Sequence, residues 1–211
     1  MGTKLELLGK VVALLDYSLM PLKATYRKNN RSYIWQISKG FSGSIGLNTI
    51  MLGNGELLGI NPIIGVIDHE IEKILDQFAS STRRAPSPTI ATPLGYLTPE
   101  ARYIEWNFCS NEQFNLDDEV AEMSNSILRY GIPFVEAHAS SEALTSDLER
   151  LSFTFRESAI YRLPVAYVAS RRVEEARVFV EKELQLLDGR RDIAAEDYRV
   201  FAQNLLVETQ N

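Results

Sequence analysis

Side chains that carry catalysis or bind metals are scarce in this sequence. Its 211 residues include one cysteine, Cys109, and two histidines, His69 and His138. A single cysteine excludes a disulfide within the chain, so we expect a reducing compartment, the cytoplasm. There is no HExxH, EF-hand or phosphate-binding glycine pattern, and the sequence therefore predicts no metal site and no cofactor.

Long apolar runs are also missing. The longest ones, such as residues 11–15 and 60–67, fall far short of the roughly 20 residues that a membrane-spanning helix needs. Glu6 and Asp16 interrupt the apolar positions of the first segment, which predicts a helix and not a signal peptide. We therefore expect no membrane partner. The proportions of hydrophobic and charged residues, 45% and 24%, are typical of folded globular proteins.

Charge is plentiful and unevenly distributed. Residues 1–40 contain seven Lys or Arg and two acidic residues, whereas residues 100–160 contain twelve acidic residues and four Arg. The net charge of −6 argues against nucleic acid as the main ligand, although residues 26–33 mix cations with tyrosines. Edge strands often carry such cations to block association between sheets. The acidic middle of the chain can attract a basic partner by raising the rate of encounter.

The first half of the sequence predicts a helix followed by antiparallel strands. Thr3 and Glu6 form a capping-box pattern, and apolar residues then recur at helical spacing until Pro21. Residues 33–37 and 45–51 alternate between apolar and polar, which is typical of half-buried strands. We predict turns at Asn29-Asn30, at residues 39–43 and at residues 53–55.

The middle of the chain predicts a less regular succession of elements. Asp68 can cap a short helix, and residues 103–109 alternate like a strand that joins the sheet. Residues 80–99 contain four prolines and predict an exposed, extended connection. Asn115 can cap a further helix, which we expect Gly131 to end.

The pattern as a whole predicts an α+β fold. We expect an antiparallel sheet of about four or five strands packed on helices, with a C-terminal helical subdomain. The predicted domains are residues 1–154, the α+β part, and residues 155–211, a helical subdomain packed on it.

Acidic residues in and around the predicted helix that Asn115 caps are the candidate partner-binding residues. They are Asp117, Asp118, Glu119, Glu122, Glu136 and Glu142. Charges of this kind mainly speed association, and a few aromatic anchors supply affinity. The sequence identifies no catalytic residue.

Two alternatives from other functional classes stay open. The first is a small hydrolase-like enzyme in which Glu136 orients His138, with Cys109 nearby, provided that the segment is extended. The second is a helical adaptor or self-association module formed by residues 155–211. A pairing of His69 with Glu72 for a metal is disfavoured, because acidic residues commonly cap helix N-termini.

The order of elements also carries a resemblance. An initial helix, the hairpin Tyr-Arg-Lys-Asn-Asn-Arg-Ser-Tyr, the strand Tyr-Ile-Glu-Trp-Asn-Phe and a helix ending Arg-Tyr-Gly-Ile-Pro-Phe resemble a group of uncharacterised bacterial α+β domains. Some of these lie beside toxins as immunity proteins. The resemblance covers residues 1–150 and implies a cytoplasmic bacterial inhibitor that neutralises one cognate, basic toxin domain in a stoichiometric complex.

Overall fold

A computed structural model describes residues 4–52, 57–78, 87–109 and 115–208. The fold is α+β, as the sequence predicts, with an antiparallel sheet and helices that dominate the C-terminal part. The chain divides into two compact units. The first unit consists of residues 1–66 and 91–138, and the second of residues 67–90 and 139–211. The predicted boundary between residues 154 and 155 stays a prediction.

The described strands form one six-stranded sheet in the order β1-β2-β3-β4-β5, and β6 pairs with β4. The strands are β1 Thr25–Arg27, β2 Ser32–Ser38, β3 Phe41–Leu52, β4 Leu57–Asp68, β5 Ile90–Pro93 and β6 Trp106–Cys109. Strand β6 lies antiparallel to the start of β4, with Leu57 opposite Cys109 and Ile60 opposite Trp106. This confirms that the residues around Trp106 join the sheet.

The helices follow the apolar periodicity of the sequence. They are α1 Lys4–Ser18, α2 His69–Phe78, α3 Leu116–Ser126, α4 Ile132–His138, α5 Ser141–Arg150, α6 Arg156–Ala169, α7 Val173–Leu186 and α8 Ile193–Glu208. The predicted cap at Asp68 is confirmed, because its Oδ1 accepts hydrogen bonds from the N–H groups of Glu70 at 2.9 Å and Ile71 at 3.2 Å. Thr3 and the predicted turn at 53–55 lie outside the described residues.

Apolar packing holds the first unit together. Trp35 lies across Gly43 on the neighbouring strand, and a Cβ added to Gly43 would come within 2.2 Å of the indole ring. Only glycine leaves room for this ring. Tyr33 and Ile45, also opposite each other, are completely buried, and α1 packs against α3.

One local prediction is confirmed and another is wrong. The first hairpin turns at Asn29-Asn30 as predicted, and its positive φ, 49°, is at Arg31. Residues 90–97 do not form an exposed connection. They form β5 and a 3-10 turn, and Thr89, Ile90, Thr92 and Leu94 are buried. The proline content misled the prediction because Pro93 lies at the end of β5, where the strand needs no further N–H donor.

Candidate functional site

A nearly continuous helical segment, residues 116–138, carries most of the predicted partner-binding residues. Asn115 caps it as predicted, since its Oδ1 accepts a hydrogen bond from the N–H of Asp117 at 3.2 Å. Its Nδ2 also donates to Oδ2 of Asp118 at 2.6 Å. Asp117, Asp118 and Glu119 occupy the first turn of α3, where the positive end of the helix dipole stabilises negative charge. This interaction stabilises the dense acidic residues of the first turn.

Burial of the opposite side of α3 directs these carboxylates toward solvent. Val120, Met123 and Ile127 are buried at helical spacing. Asp117, Asp118 and Glu122 are exposed, and Glu119 is half-buried. We refer to Asp117, Asp118, Glu119 and Glu122 as the α3 carboxylates.

No ion pair neutralises the α3 carboxylates within the part of the chain that the structure describes. The second unit, by contrast, contains several ion pairs. They are Glu72–Arg162, Glu183–Arg156, Glu149–Arg172, Glu175–Arg172, Glu174–Arg177, Asp192–Arg190 and Glu196–Arg199. The α3 carboxylates therefore form a concentrated negative patch that no ion pair with another described residue neutralises.

A π-helical turn, Ile127–Gly131, follows α3 directly, so the prediction that Gly131 ends the helix is wrong. The N–H of Ile132 donates to the carbonyl of Ile127, which widens the turn by one residue. Gly131 is buried against Ile64, and an added Cβ would lie 3.1 Å from the Ile64 Cδ1. Its missing side chain lets the helix pass this strand residue and continue.

Two larger side chains of the π turn lie at the surface, and they follow the α3 carboxylates closely in the sequence. Leu128 is 36% exposed. Tyr130 is half-buried, and the Arg129 guanidinium lies 5.2 Å from the centre of its ring. Such turns occur frequently at functional sites, because they change the direction of side chains within a helix.

The structure separates the remaining two predicted residues. Glu136 is exposed on α4 and therefore shares the helical segment with the α3 carboxylates. Glu142 is exposed on α5, which belongs to the second unit. Five of the six predicted residues thus lie on one helical segment.

The geometry does not provide the orientation that the enzymatic alternative requires. Glu136 and His138 lie on α4, and residues two apart on a helix point in different directions. The ring of His138 instead contacts Phe134, with 4.5 Å between ring centres. Cys109 is half-buried at the end of β6. Residues 136–138 are thus helical, and the extended segment on which this alternative depends is not formed.

Glu72, weighed above with His69, binds a buried arginine. Its Oε1 accepts a hydrogen bond from Nε of Arg162 at 2.7 Å and another from Thr89 at 3.1 Å. Nη2 of Arg162 also donates to Glu72 Oε2 at 3.2 Å and to Ser87 at 2.7 Å. Sequence patterns do not reveal this buried network, because its two charged members are separated by 90 residues. The only signal in the sequence is that Glu72 in α2 and Arg162 in α6 each occupy a position where the helical spacing predicts an apolar residue.

The described residues contain no group of three or more His, Cys, Asp and Glu side chains that could hold a metal ion. None of the helices described here combines the length and the apolarity of a bilayer-crossing segment.

Comparisons of the chain with protein-family models, with curated proteins and with solved structures find no match.

Proposed function

We propose that this protein is a stoichiometric protein-binding protein that presents the α3 carboxylates to a basic partner. The observation that carries the proposal is the concentration of four carboxylates within residues 117–122, without an ion pair among the described residues. In the second unit, by contrast, arginines neutralise many of the acidic side chains. Uncompensated charge costs the fold some repulsion, and binding a cationic surface would relieve that repulsion.

Two kinds of residue would contribute to binding in different ways. The α3 carboxylates would steer a basic partner and raise its association rate, an effect that salt suppresses. Leu128 and Tyr130, at the adjoining π turn, would supply apolar contact. Truncation of such an anchor costs about 2 kcal/mol or more of binding free energy when it lies at the centre of an interface.

A more specific form of the proposal is that the protein is a bacterial immunity protein and that its partner is a basic toxin domain. The resemblance of residues 1–150 to bacterial α+β domains supports this form, as does the absence of a recognisable catalytic pattern in the sequence. An inhibitor of this kind acts by covering the partner's functional surface, and it needs no chemistry of its own.

The test is to co-express the chain with the product of each adjoining reading frame and to isolate any complex. The variant Asp117→Asn/Asp118→Asn/Glu122→Gln removes three negative charges from the patch. The control Glu157→Gln/Glu181→Gln/Asp188→Asn makes the same change in net charge at exposed positions of the second unit. We expect only the first variant to slow association, by roughly tenfold at low salt.

Two results would overturn the proposal. One is a basic adjoining protein that forms no complex with this chain. The other is a complex whose association rate falls equally with both triple variants, since the effect would then reflect net charge and not the α3 patch.

A second candidate function is self-association through α8. Ile193, Val200 and Val207 are 82%, 44% and 62% exposed and recur every seven residues, which places them on one face of the helix. Light scattering of the full chain and of Val200→Glu tests this candidate. A monomeric full chain would eliminate it.

A further inference from the structure

A groove with a volume of about 660 Å³ lies between α1 and β1 in the first unit. One side comes from α1 and the turn after it, and the other from the chain that leads through β1. The lining residues are Val12, Asp16, Met20, Lys23, Ala24, Thr25, Tyr26 and Lys28. The groove is distinct from the α3 carboxylates, and its charge has the opposite sign.

The apolar part of the groove is held in place by the side chain of Tyr33. Its hydroxyl donates a hydrogen bond to the carbonyl of Val12, at 3.0 Å, and ties β2 to α1. The rings of Tyr26 and Tyr33 lie 5.0 Å apart, so Tyr26 rests against a fixed neighbour. Burial, and then a hydrogen bond with Asp16, raises the pKa of Tyr33, and the phenol therefore stays protonated as a donor.

Strand β1 offers an open sheet edge beside these side chains. Among the described strands it pairs only with β2, with Tyr26 opposite Tyr33. Alternate residues of an edge strand direct their N–H and C=O groups away from the sheet, where another extended chain can pair with them. Strand β1 covers three residues, Thr25–Arg27, about 10 Å of extended chain, so it can pair with a short peptide segment.

The charges around the groove favour an acidic occupant. Lys23 and Lys28 are exposed at its two ends, and Arg27 on β1 is exposed between them. The one acid in the lining, Asp16, already interacts with Tyr33. The same cations would repel a second copy of this edge, so strand exchange between two identical chains is disfavoured.

We propose that this groove binds an acidic peptide segment, which adds to β1 as an extra strand. The central residue of the peptide would be apolar and would contact Val12, Met20 and Tyr26. Acidic residues on either side of it would lie near Lys23 and Lys28. Main-chain hydrogen bonds would supply affinity, and the apolar and charged contacts would supply selectivity. This site is independent of the function proposed above.

The experiment selects binders to the full chain from a library of random nine-residue peptides with uncharged termini. We expect the enriched peptides to share one apolar residue flanked by acidic residues. Lys23→Glu/Lys28→Glu should weaken their binding by roughly tenfold or more, because two attractions become repulsions. The control Lys10→Glu/Lys39→Glu changes the net charge equally at exposed positions outside the groove lining and should bind as the unaltered chain does.

A second measurement tests strand addition independently of the protein variants. Two versions of the best peptide are N-methylated at alternate residues, one at odd and the other at even positions. A peptide paired as a strand uses every second N–H, so one version should bind normally and the other should lose binding. Met20→Glu, at a position that is 62% exposed, places a charge in the groove with little risk to folding and should also abolish binding.

The proposal is overturned by any of four results. The selection could return no acidic peptides, or the enriched peptides could bind Lys23→Glu/Lys28→Glu as tightly as the control. Equal binding of both N-methylated versions would exclude strand pairing. The chain could also dimerise in a concentration-dependent way. If Lys23→Glu/Lys28→Glu strengthened this dimer and peptides did not displace it, the edge of β1 would bind a second copy of the chain.

Discussion

The two compact units differ in how far their acidic side chains are paired with arginines. In the second unit, acidic side chains pair with arginines, from the buried Glu72–Arg162 contact to exposed pairs such as Glu174–Arg177. In the first unit, the α3 carboxylates have no such partners among the described residues, and apolar contacts such as Trp35 on Gly43 hold the sheet together. Charge that is neutralised inside the fold serves stability, whereas uncompensated charge remains available to another molecule. This contrast locates the proposed partner-binding surface in the first unit.

The largest expected effect is the loss of the buried arginine. Arg162→Met should lower the free energy of unfolding by roughly 3–5 kcal/mol, because it leaves the Glu72 carboxylate buried without a cation. The side chains of Arg162 and Glu72 are only 5% and 8% exposed, so water cannot replace the lost contact. Urea unfolding measures the change.

Two further variants control this experiment. Arg177→Met removes the exposed partner of Glu174 and should leave stability unchanged within error. The double variant Arg162→Met/Glu72→Met should recover most of the loss, since no unpaired charge stays buried. A double variant as unstable as Arg162→Met alone would contradict the view that ionic pairing is what the site requires.

The next effect probes apolar packing in the first unit. Gly43→Ala should destabilise the protein by roughly 1–3 kcal/mol, because its Cβ would come within 2.2 Å of the Trp35 ring. A shift in tryptophan fluorescence should accompany the loss. Gly9→Ala is the matched control, since nothing lies within 4 Å of its added Cβ in α1. It should be neutral or stabilise the helix by up to about 1 kcal/mol.

A further prediction concerns Asp68, a buried acid of the second unit that forms no ion pair with an arginine among the described residues. Burial raises the pKa of this carboxyl above its usual range, although the N–H groups of Ile71 and Glu70 oppose the shift. A raised pKa in the folded state favours the protonated form. Its contribution to stability is thus fully present below the unfolded-state pKa and is lost as pH rises through the folded-state pKa.

The corresponding variants separate capping from charge. Asp68→Ala should cost about 1 kcal/mol at pH 7, because α2 loses its cap. Asp68→Asn keeps an oxygen acceptor and removes the buried charge, so it should be at least as stable as the unaltered chain at pH 7. Urea unfolding between pH 3 and pH 8 should show that the stability of Asp68→Asn relative to the unaltered chain increases as pH rises. A relative stability that decreases with pH would contradict the direction of the pKa shift.

The smallest effect concerns the α3 carboxylates themselves. Asp117→Asn and Asp118→Asn should each cost roughly 0.3–1 kcal/mol at low salt, through weaker interaction with the helix dipole. The loss should shrink as salt is added. Thermal unfolding at two salt concentrations checks this. If the Asp→Asn variants were instead more stable, repulsion among the α3 carboxylates would outweigh their interaction with the helix dipole. That result would sharpen the contrast with the second unit, where acidic side chains pair with arginines.

Much of the candidate site could be predicted from sequence because it depends on contacts within one helix. The cap at Asn115, the inward positions Val120 and Met123, and the outward acidic residues all follow from local spacing. The π turn did not follow, because Gly131 is also a common helix-ending residue. Only its contact with Ile64, from a distant strand, decides that the helix continues. Likewise, Glu136 could orient His138 only in an extended segment, and the helix that continues past Gly131 includes both residues.

The sequence by itself determined the α+β class, the meander of alternating strands and the partition of charge, because periodicity and composition act over a few neighbouring residues. The tertiary structure decided the rest. It paired Arg162 with Glu72, placed residues 90–93 in the sheet and left an open edge at β1 beside α1. These outcomes depend on residues far apart in the chain, and their energies arise only when burial removes water from the groups that meet.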